Sequence, residues 1–440
     1  MTSPAADVTI LTGQTLSFRA DPFEVGPEAA VAHETDGAVA IRGGVILEVG
    51  PRGAVLARFP GAAVESYSGD LIMAGFVDCH VHYPQIDIIA SYGEQLLEWL
   101  EKYTFPAEAR FGDPAHAASA ADRYLDECVR NGITSASVYC TVHPASVDAL
   151  FSAARARGVA LAAGKVMMDR NAPADLADTA QSGFDESKAL ISRWHGVDRL
   201  TYVVSPRFAV TSTEAQLEAA GVLWKESPGT LMQTHVSENV YEIEHARRLH
   251  PYACDYLDIY DKKGLLGPGA NFGHAIHLSP REIARLCETK SGISHCPTSN
   301  LFIGSGLFDM RGLRDCDKPV GVGLATDVGG GSSFSMLATM KASYEICQLN
   351  GYNLHPAKAF YLATVGSAAV MRLGHRLGNL RPGYDADIVV LDLASQPLIA
   401  RRLGQVEDIF GALFLQMILA DDRAVRATYV AGRKAHVRAP

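Results

Sequence analysis

Gly75-Phe76-Val77-Asp78-Cys79-His80-Val81-His82 is an apolar run that stops in two histidines one residue apart. In a strand, residues i and i+2 face the same side, so His80 and His82 aim both imidazoles one way. Co-facing imidazoles are a natural start for a divalent metal site, yet a lone His-x-His pair also arises by chance. Its meaning depends on what sits at the ends of the other strands.

Outward from this run, β-type segments alternate with helix-type segments, the pattern of a parallel α/β sheet. Eight apolar runs stand out: Gly75–His82, Ile133–Val142, Val159–Met167, Leu200–Ser205, Thr230–Val236, Ala270–His277, Gly292–Cys296 and Val320–Asp327. Helix-like stretches such as Asp113–Asn131 and Ser279–Thr289 fall between most of them. Eight such units predict a (β/α)8 TIM barrel over residues 74–377, with its chemistry at the C-terminal strand ends. The chain ends read differently. Ala38 to Gly50 holds two apolar runs around Gly43-Gly44, a hairpin signal. Gly383–Asp392 and Val425–Arg433 are further strands near the other terminus. Neither end has enough strands for a sheet of its own, so residues 1–73 and 378–440 are expected to form one small β-sandwich domain.

Bulk composition narrows the class. Hydrophobic residues make up 48% of the 440 and charged ones 20%, an ordinary globular balance. A net charge of −10 without Lys/Arg clusters argues against nucleic acid as a partner. The first residues, Met1 to Asp7, lack the basic and apolar regions of a signal peptide. Ile409–Ala420 is 12 residues long and carries Gln416, too short a run for a membrane span. Eight cysteines, none in a Cys-x-x-Cys pair, point to free thiols in a cytoplasmic setting.

Four strand ends supply candidates. The first ends in His80 and His82, the fifth in His235 followed by Glu238, the sixth in His274, and the eighth in Asp327 before Gly329-Gly330-Gly331. Three neutral imidazoles and a carboxylate suit Zn2+ or Fe2+ with a position left for water. Such an ion lowers the pKa of that water and makes hydroxide available near neutral pH. A general acid/base must then move protons, and Glu238, three residues past His235, is placed for it, with Asp327 on the other side. The competing reading of Glu238 is a first-turn acid of the following helix. A second metal would need a carboxylated lysine or an acid at the end of strand four, where Ser205-Pro206-Arg207-Phe208 stands instead. Lys165 falls on the third strand and reads as a salt-bridging lysine, so one metal is favoured.

Longer strings add to these residues: His82-Tyr83-Pro84-Gln85, the segment Leu97 to Glu108, Pro206-Arg207-Phe208, Ser294 to Asn300, and Thr326-Asp327-Val328-Gly329-Gly330. On them the chain resembles the amidohydrolase superfamily, and within it the guanine deaminases. One departure is Ala74, where proline is usual before Gly75. The resemblance implies that His80, His82, His235 and Asp327 bind one zinc per chain and that His274 contacts the hydroxide or the substrate. It implies that Glu238 and Asp327 shuttle protons as guanine becomes xanthine and ammonia in purine catabolism. Gln85, Arg207 and Phe208 would recognise the purine: an acceptor-and-donor amide, fixed guanidinium donors and a flat face. It also implies a homodimer, to which Ile409–Ala420 could contribute unless that run is a core helix. Leu97–Glu108 and Ser294–Asn300 are expected as loops over the mouth, with Trp99 and His295 as packing residues. The alternative is another mononuclear amidohydrolase acting on a pterin, triazine or cytosine; a metal-binding scaffold without catalysis is the remaining rival.

Overall fold

The computed structural model describes residues 7–93 and 95–439; most of the amino-terminal stretch read for a signal peptide lies outside them. The chain opens with β1 (Thr9–Phe18), β2 (Val31–Arg42), β3 (Val45–Pro51) and β4 (Ala63–Ala74). It closes with β14 (Ile388–Leu391), β15 (Val425–Val430) and β16 (Arg433–Val437). Between them run β5 (Phe76–His82), β6 (Ile133–Tyr139), β7 (Ala160–Gly164), β8 (Val166–Met167) and β9 (Leu200–Pro206). The set is completed by β10 (Leu231–Val236), β11 (Ala270–His274), β12 (Gly292–His295) and β13 (Gly321–Leu324).

The two termini meet in one sheet of seven strands, ordered β16-β15-β14-β4-β1-β2-β3. Antiparallel pairing of β4 with β14, Met73 opposite Val389, joins the ends of the chain. Its hydrogen bonding is that of a single mixed sheet with apolar clusters on both faces. Period two sends Leu11, Val39, Ile41 and Ile388 to one face and Ile10, Ala38 and Ala40 to the other, where Val55 of helix Arg52–Arg58 covers them. Gly43 and Gly44 take φ of 58° and 82° between Arg42 and Val45, the primed hairpin turn that the Gly-Gly pair suggested.

The middle of the chain is the expected barrel. Each of the eight apolar runs contains a strand of the parallel series β5-β6-β7-β9-β10-β11-β12-β13. Two main-chain hydrogen bonds close it beyond the last regular pair: Asp327 N–H to the His80 carbonyl at 3.0 Å and His82 N–H to the Val328 carbonyl at 2.9 Å. The strand runs are buried on both faces, as parallel strands covered by helices must be. Helix Pro114–Arg130 starts where the Asp113 carboxylate accepts from Ala115 N–H, and buries Ala117, Ala121, Tyr124 and Cys128 along one stripe. Helix Pro280–Thr289 begins with a Ser279/Glu282 capping box.

Helix Ile409–Leu419 is a core element. Phe414 packs edge-on to Tyr344 of helix Met336–Leu349, Phe410 to His355, and Gln416 spends its amide on the Leu393 carbonyl at 2.9 Å. Arg199, just before β9, bridges Asp385 and Asp387 ahead of β14 and ties the barrel floor to the terminal sheet.

Candidate active site

All of the strand-end candidates converge on the C-terminal mouth of the barrel. The Nε2 atoms of His82 and His235 lie 3.1 Å apart. His80 Nε2 and His82 Nε2 are each 3.5 Å from Asp327 Oδ1. His274 Nε2 stands 3.3 Å from Glu238 Oε2 and 3.7 Å from Asp327 Oδ2. Three of these side chains are aimed by local backbone turns. His274 and Asp327 themselves take left-handed φ of 67° and 50°, and Ser237 takes 49° between His235 and Glu238. Non-glycine residues enter that region at a cost, which functional sites commonly carry.

Neighbouring groups hold the rings in place. His235 Nδ1 donates to the Arg207 carbonyl at 2.7 Å. A carbonyl only accepts, so this ring keeps a bare lone pair on Nε2 facing His82. Tyr139, at the end of β6, stacks on His82 with ring centres 4.6 Å apart and planes 19° from parallel. His274 is oriented by Asn300, whose Oδ1 lies 2.9 Å from Nδ1. Behind β5, buried Asp78 accepts from both the N–H and the hydroxyl of Thr326, binding the first barrel strand to the segment that carries Asp327. Gly273 lies under the His80 ring, where a Cβ would overlap it.

Burial and charge set the protonation states. Burial pushes His80, His82 and His235 below the ordinary imidazole pKa, and for the latter two their imidazole neighbours add to the effect. The rings are neutral, as metal ligands must be. Burial opposes the charge on Asp327, but His80 and the other imidazoles outweigh it and hold the carboxyl down to about 2. Burial raises Glu238, against the pull of His274. On His274 burial is overcome by the Glu238 and Asp327 carboxylates, which lift its pKa.

The donor set fits a divalent cation. His80 Nε2 is buried with no hydrogen-bond partner, and the ligand atoms of His80, His82 and His235 lie within 4.8 Å of one another. A second convergent group holds His80, His274, Cys296 and Asp327. An unpartnered nitrogen in such a setting needs either a proton, which burial disfavours, or a cation.

A cavity opens on these groups. It is lined by His82, His235, Glu238, His274 and Asp327 together with Gln85, Arg207 and Phe208, and by the apolar Leu96, Trp99, Leu100 and Ile303. One cavity thus gathers the reactive candidates, a reactive wall, and the recognition candidates, a recognition wall. Residues 71–435 match the amidohydrolase family. The chain belongs to that family, on its guanine deaminase branch.

This amidohydrolase is 47% identical to the guanine deaminase of Escherichia coli K12 over 375 residues, 85% of each chain. The solved structure titled E. coli guanine deaminase superposes with a TM-score of 0.95 at 42% identity, covering 98% of this chain and 100% of that one. A Clostridium acetobutylicum guanine deaminase, solved with guanine in its active site, superposes with a TM-score of 0.88 at 25% identity over 97% and 99% of the two chains. Residues 37–62 also match a bacterial imidazolonepropionase-like composite domain.

The expected loops over the mouth are helical. Leu96–Trp99, a wide turn over Leu100–Thr104 and Phe105–Ala109 run on as one helical segment, and Ser294–Asn300 divides between β12 and helix Pro297–Phe302. Pro297 opens its helix, where a missing N–H costs nothing, and Pro106 follows directly on the wide turn Leu100–Thr104 inside the continuous segment. Trp99 is buried at the cavity rim with its indole N–H on the Ser91 carbonyl, and His295 stacks on Phe308 outside the cavity. Lys165 is salt-bridged to Asp178 and Glu186, away from the site. Sequence reasoning missed three residues of this neighbourhood: Tyr139, Asn300 and Glu108, whose carboxylate joins Gln85 to Arg207.

Proposed function

We infer that the enzyme hydrolyses guanine to xanthine and ammonia. The single observation that carries this is one cavity lined both by groups able to hold a metal and move protons and by groups suited to a planar heterocycle. Similarity to guanine deaminases over nearly the whole chain supports the same reading.

In this proposal His80, His82, His235 and Asp327 hold one zinc. When bound, the zinc supplies the Lewis acidity that lets a water ionise near neutral pH. Glu238 takes one proton from the attacking water at its Oε2, because Oε1 already accepts from the Ser305 hydroxyl at 3.0 Å. It delivers that proton to N3 of the purine as the C2–O bond forms. Asp327 Oδ2 takes the second proton, which passes to the exocyclic nitrogen as the C2–N bond breaks and ammonia leaves. The products carry every atom of guanine and water. His274 stands between the two carboxylates and orients the attacking oxygen. On the recognition wall, Arg207 and Gln85 meet the polar edge of the ring, and Phe208 meets its face.

The small-molecule purine would be the main partner. Among the described residues no helix is long and apolar enough to cross a membrane, and all eight cysteines are free, which supports a cytoplasmic setting. A homodimer and a place in purine catabolism belong to the same reading, carried by the family resemblance; sedimentation tests the first.

The decisive experiment mixes purified, zinc-loaded protein with guanine and follows ammonia and the ultraviolet spectrum. Conversion to xanthine that stops on chelation and returns with zinc is the expected outcome. Zinc bound without ammonia release would overturn the substrate, and a panel of aminated pterins, triazines and cytosine would then locate the true one.

A further inference from the structure

Glu108 is a buried carboxylate that does not itself line the cavity, yet the two polar recognition residues that do, Gln85 and Arg207, are both attached to it. Gln85 Nε2 donates to its Oε1 at 2.8 Å, and Arg207 NH1 donates to its Oε2 at 2.7 Å. Glu108 is 1% exposed and Arg207 3%, so the ion pair is shielded from water and its geometry is held. Arg207 also lies over the Phe105 ring, with its guanidinium carbon 5.8 Å from the centroid. Gln85 is pinned at its other atom too, because Oε1 accepts from Gly329 N–H at 3.3 Å. With acceptor and one donor engaged, the Gln85 amide keeps a single N–H, and the guanidinium has only donors. What Gln85 and Arg207 have left for a ligand is therefore weighted toward donors, with only the second lone pair of Gln85 Oε1 as an acceptor, and that oxygen is held against Gly329.

We propose that Glu108 is a positioning residue that fixes this donor-weighted polarity and thereby makes the enzyme discriminate a 6-oxo from a 6-amino purine. The inference rests on the deaminase reading above. A 6-oxo group and the neighbouring N7 are both acceptors and meet the donors; a 6-amino group points its own hydrogens at them. A site built of committed, buried donors rejects a mismatched partner strongly, since both sides lose their hydrogen bonds. The carboxylate is the part that cannot be exchanged. Two neighbouring donors converge on it, and it supplies two acceptor oxygens. A neutral amide at 108 offers one acceptor and one donor, so either Gln85 or Arg207 is repelled. Gln85 is then free to rotate its carbonyl into the cavity, where it would accept from a 6-amino group.

The test compares guanine, 2-aminopurine and 2,6-diaminopurine, which all carry the 2-amino leaving group. The last two share an unprotonated N1 and differ only at position 6. Wild-type zinc enzyme should process 2-aminopurine faster than 2,6-diaminopurine in kcat/KM. Glu108→Gln, with zinc content and secondary structure matching wild type, should lower the guanine to 2,6-diaminopurine ratio by about tenfold or more. A structural role alone lowers turnover of all three together and leaves that ratio where it was, which would overturn the proposal. If the variant does not fold, the wild-type comparison decides: equal turnover of 2-aminopurine and 2,6-diaminopurine overturns it. Wild-type enzyme with no activity on guanine would overturn the deaminase reading itself, and the selectivity proposal with it; an active enzyme with an unchanged ratio overturns the proposal alone.

Discussion

Asp327 reaches His80 twice. Its main-chain N–H donates to the His80 carbonyl at 3.0 Å, and its carboxylate oxygen Oδ1 lies 3.5 Å from the His80 ring nitrogen. The hydrogen bond that helps to close the barrel thus also brings the first and last proposed ligands, 247 positions apart by their numbering (327 − 80), to the same point. Closure of the fold and assembly of the site are one event.

Because the two contacts use different atoms of Asp327, they should separate on mutation. Asp327→Asn keeps the main-chain bond and the side-chain volume but removes the anion. Zinc affinity should fall by about 100-fold or more, and guanine turnover with it, while the circular dichroism spectrum stays that of the wild type. Metal analysis after dialysis against a weak chelator reads this. Full zinc retention would remove Asp327 from the ligand set.

Glu238→Gln should leave zinc bound and the guanine KM within a few-fold, while kcat drops by about 10²–10⁴. The amide retains the Ser305 contact at its oxygen but cannot take up a proton. Steady-state kinetics on zinc-saturated protein decides, and a variant with wild-type kcat would end the proton-shuttle assignment.

Gly273→Ala tests whether the His80 ring needs the floor beneath it. The added methyl must displace the imidazole, since it cannot pass through the strand. Zinc affinity is expected to fall by about 10–100-fold, the range for groups that orient a ligand. Isothermal titration of the metal-free protein with zinc measures the loss. Unchanged affinity would mean that the ring is held by other contacts alone.

His295 predicts a pH dependence of stability. Burial pushes its pKa down to about 3, so the ring is neutral when folded and titrates near 6.5 when unfolded. Between these values the unfolded chain binds the extra proton, and stability from this group is lost as pH falls below about 6.5. From pH 7 to pH 5 the loss is about 2 kcal/mol. His295→Phe preserves the stack on Phe308 and should flatten the decline by that amount. Urea unfolding of both proteins at the two pH values measures it; parallel declines would contradict the assignment.

Much of this protein was legible before any coordinates. The barrel could be read because its eight strands are buried on both faces, leaving uninterrupted apolar runs between amphipathic helices. The candidate site could be read because barrel chemistry collects where those runs stop, which marked His80, His82, His235, Glu238, His274 and Asp327 by position alone. Likewise Gly43-Gly44 announced its hairpin, since few other residues adopt both of its positive φ angles. What depends on distances across the barrel had no local signal. Tyr139 under His82, Asn300 behind His274 and Glu108 between Gln85 and Arg207 come from separate strands and helices; the strings holding Asn300 and Glu108 stood out in the sequence, but nothing local to them told which side chains they would meet. The helical form of Leu97–Glu108 was hidden for a related reason: a proline inside a helix ordinarily breaks it, and here the wide turn Leu100–Thr104 just before Pro106 carries the segment on. Sequence periodicity determined which residues face inward; the tertiary structure decided which of them meet, because hydrogen bonds and ion pairs form at about 3 Å while the residues that make them lie far apart along the chain.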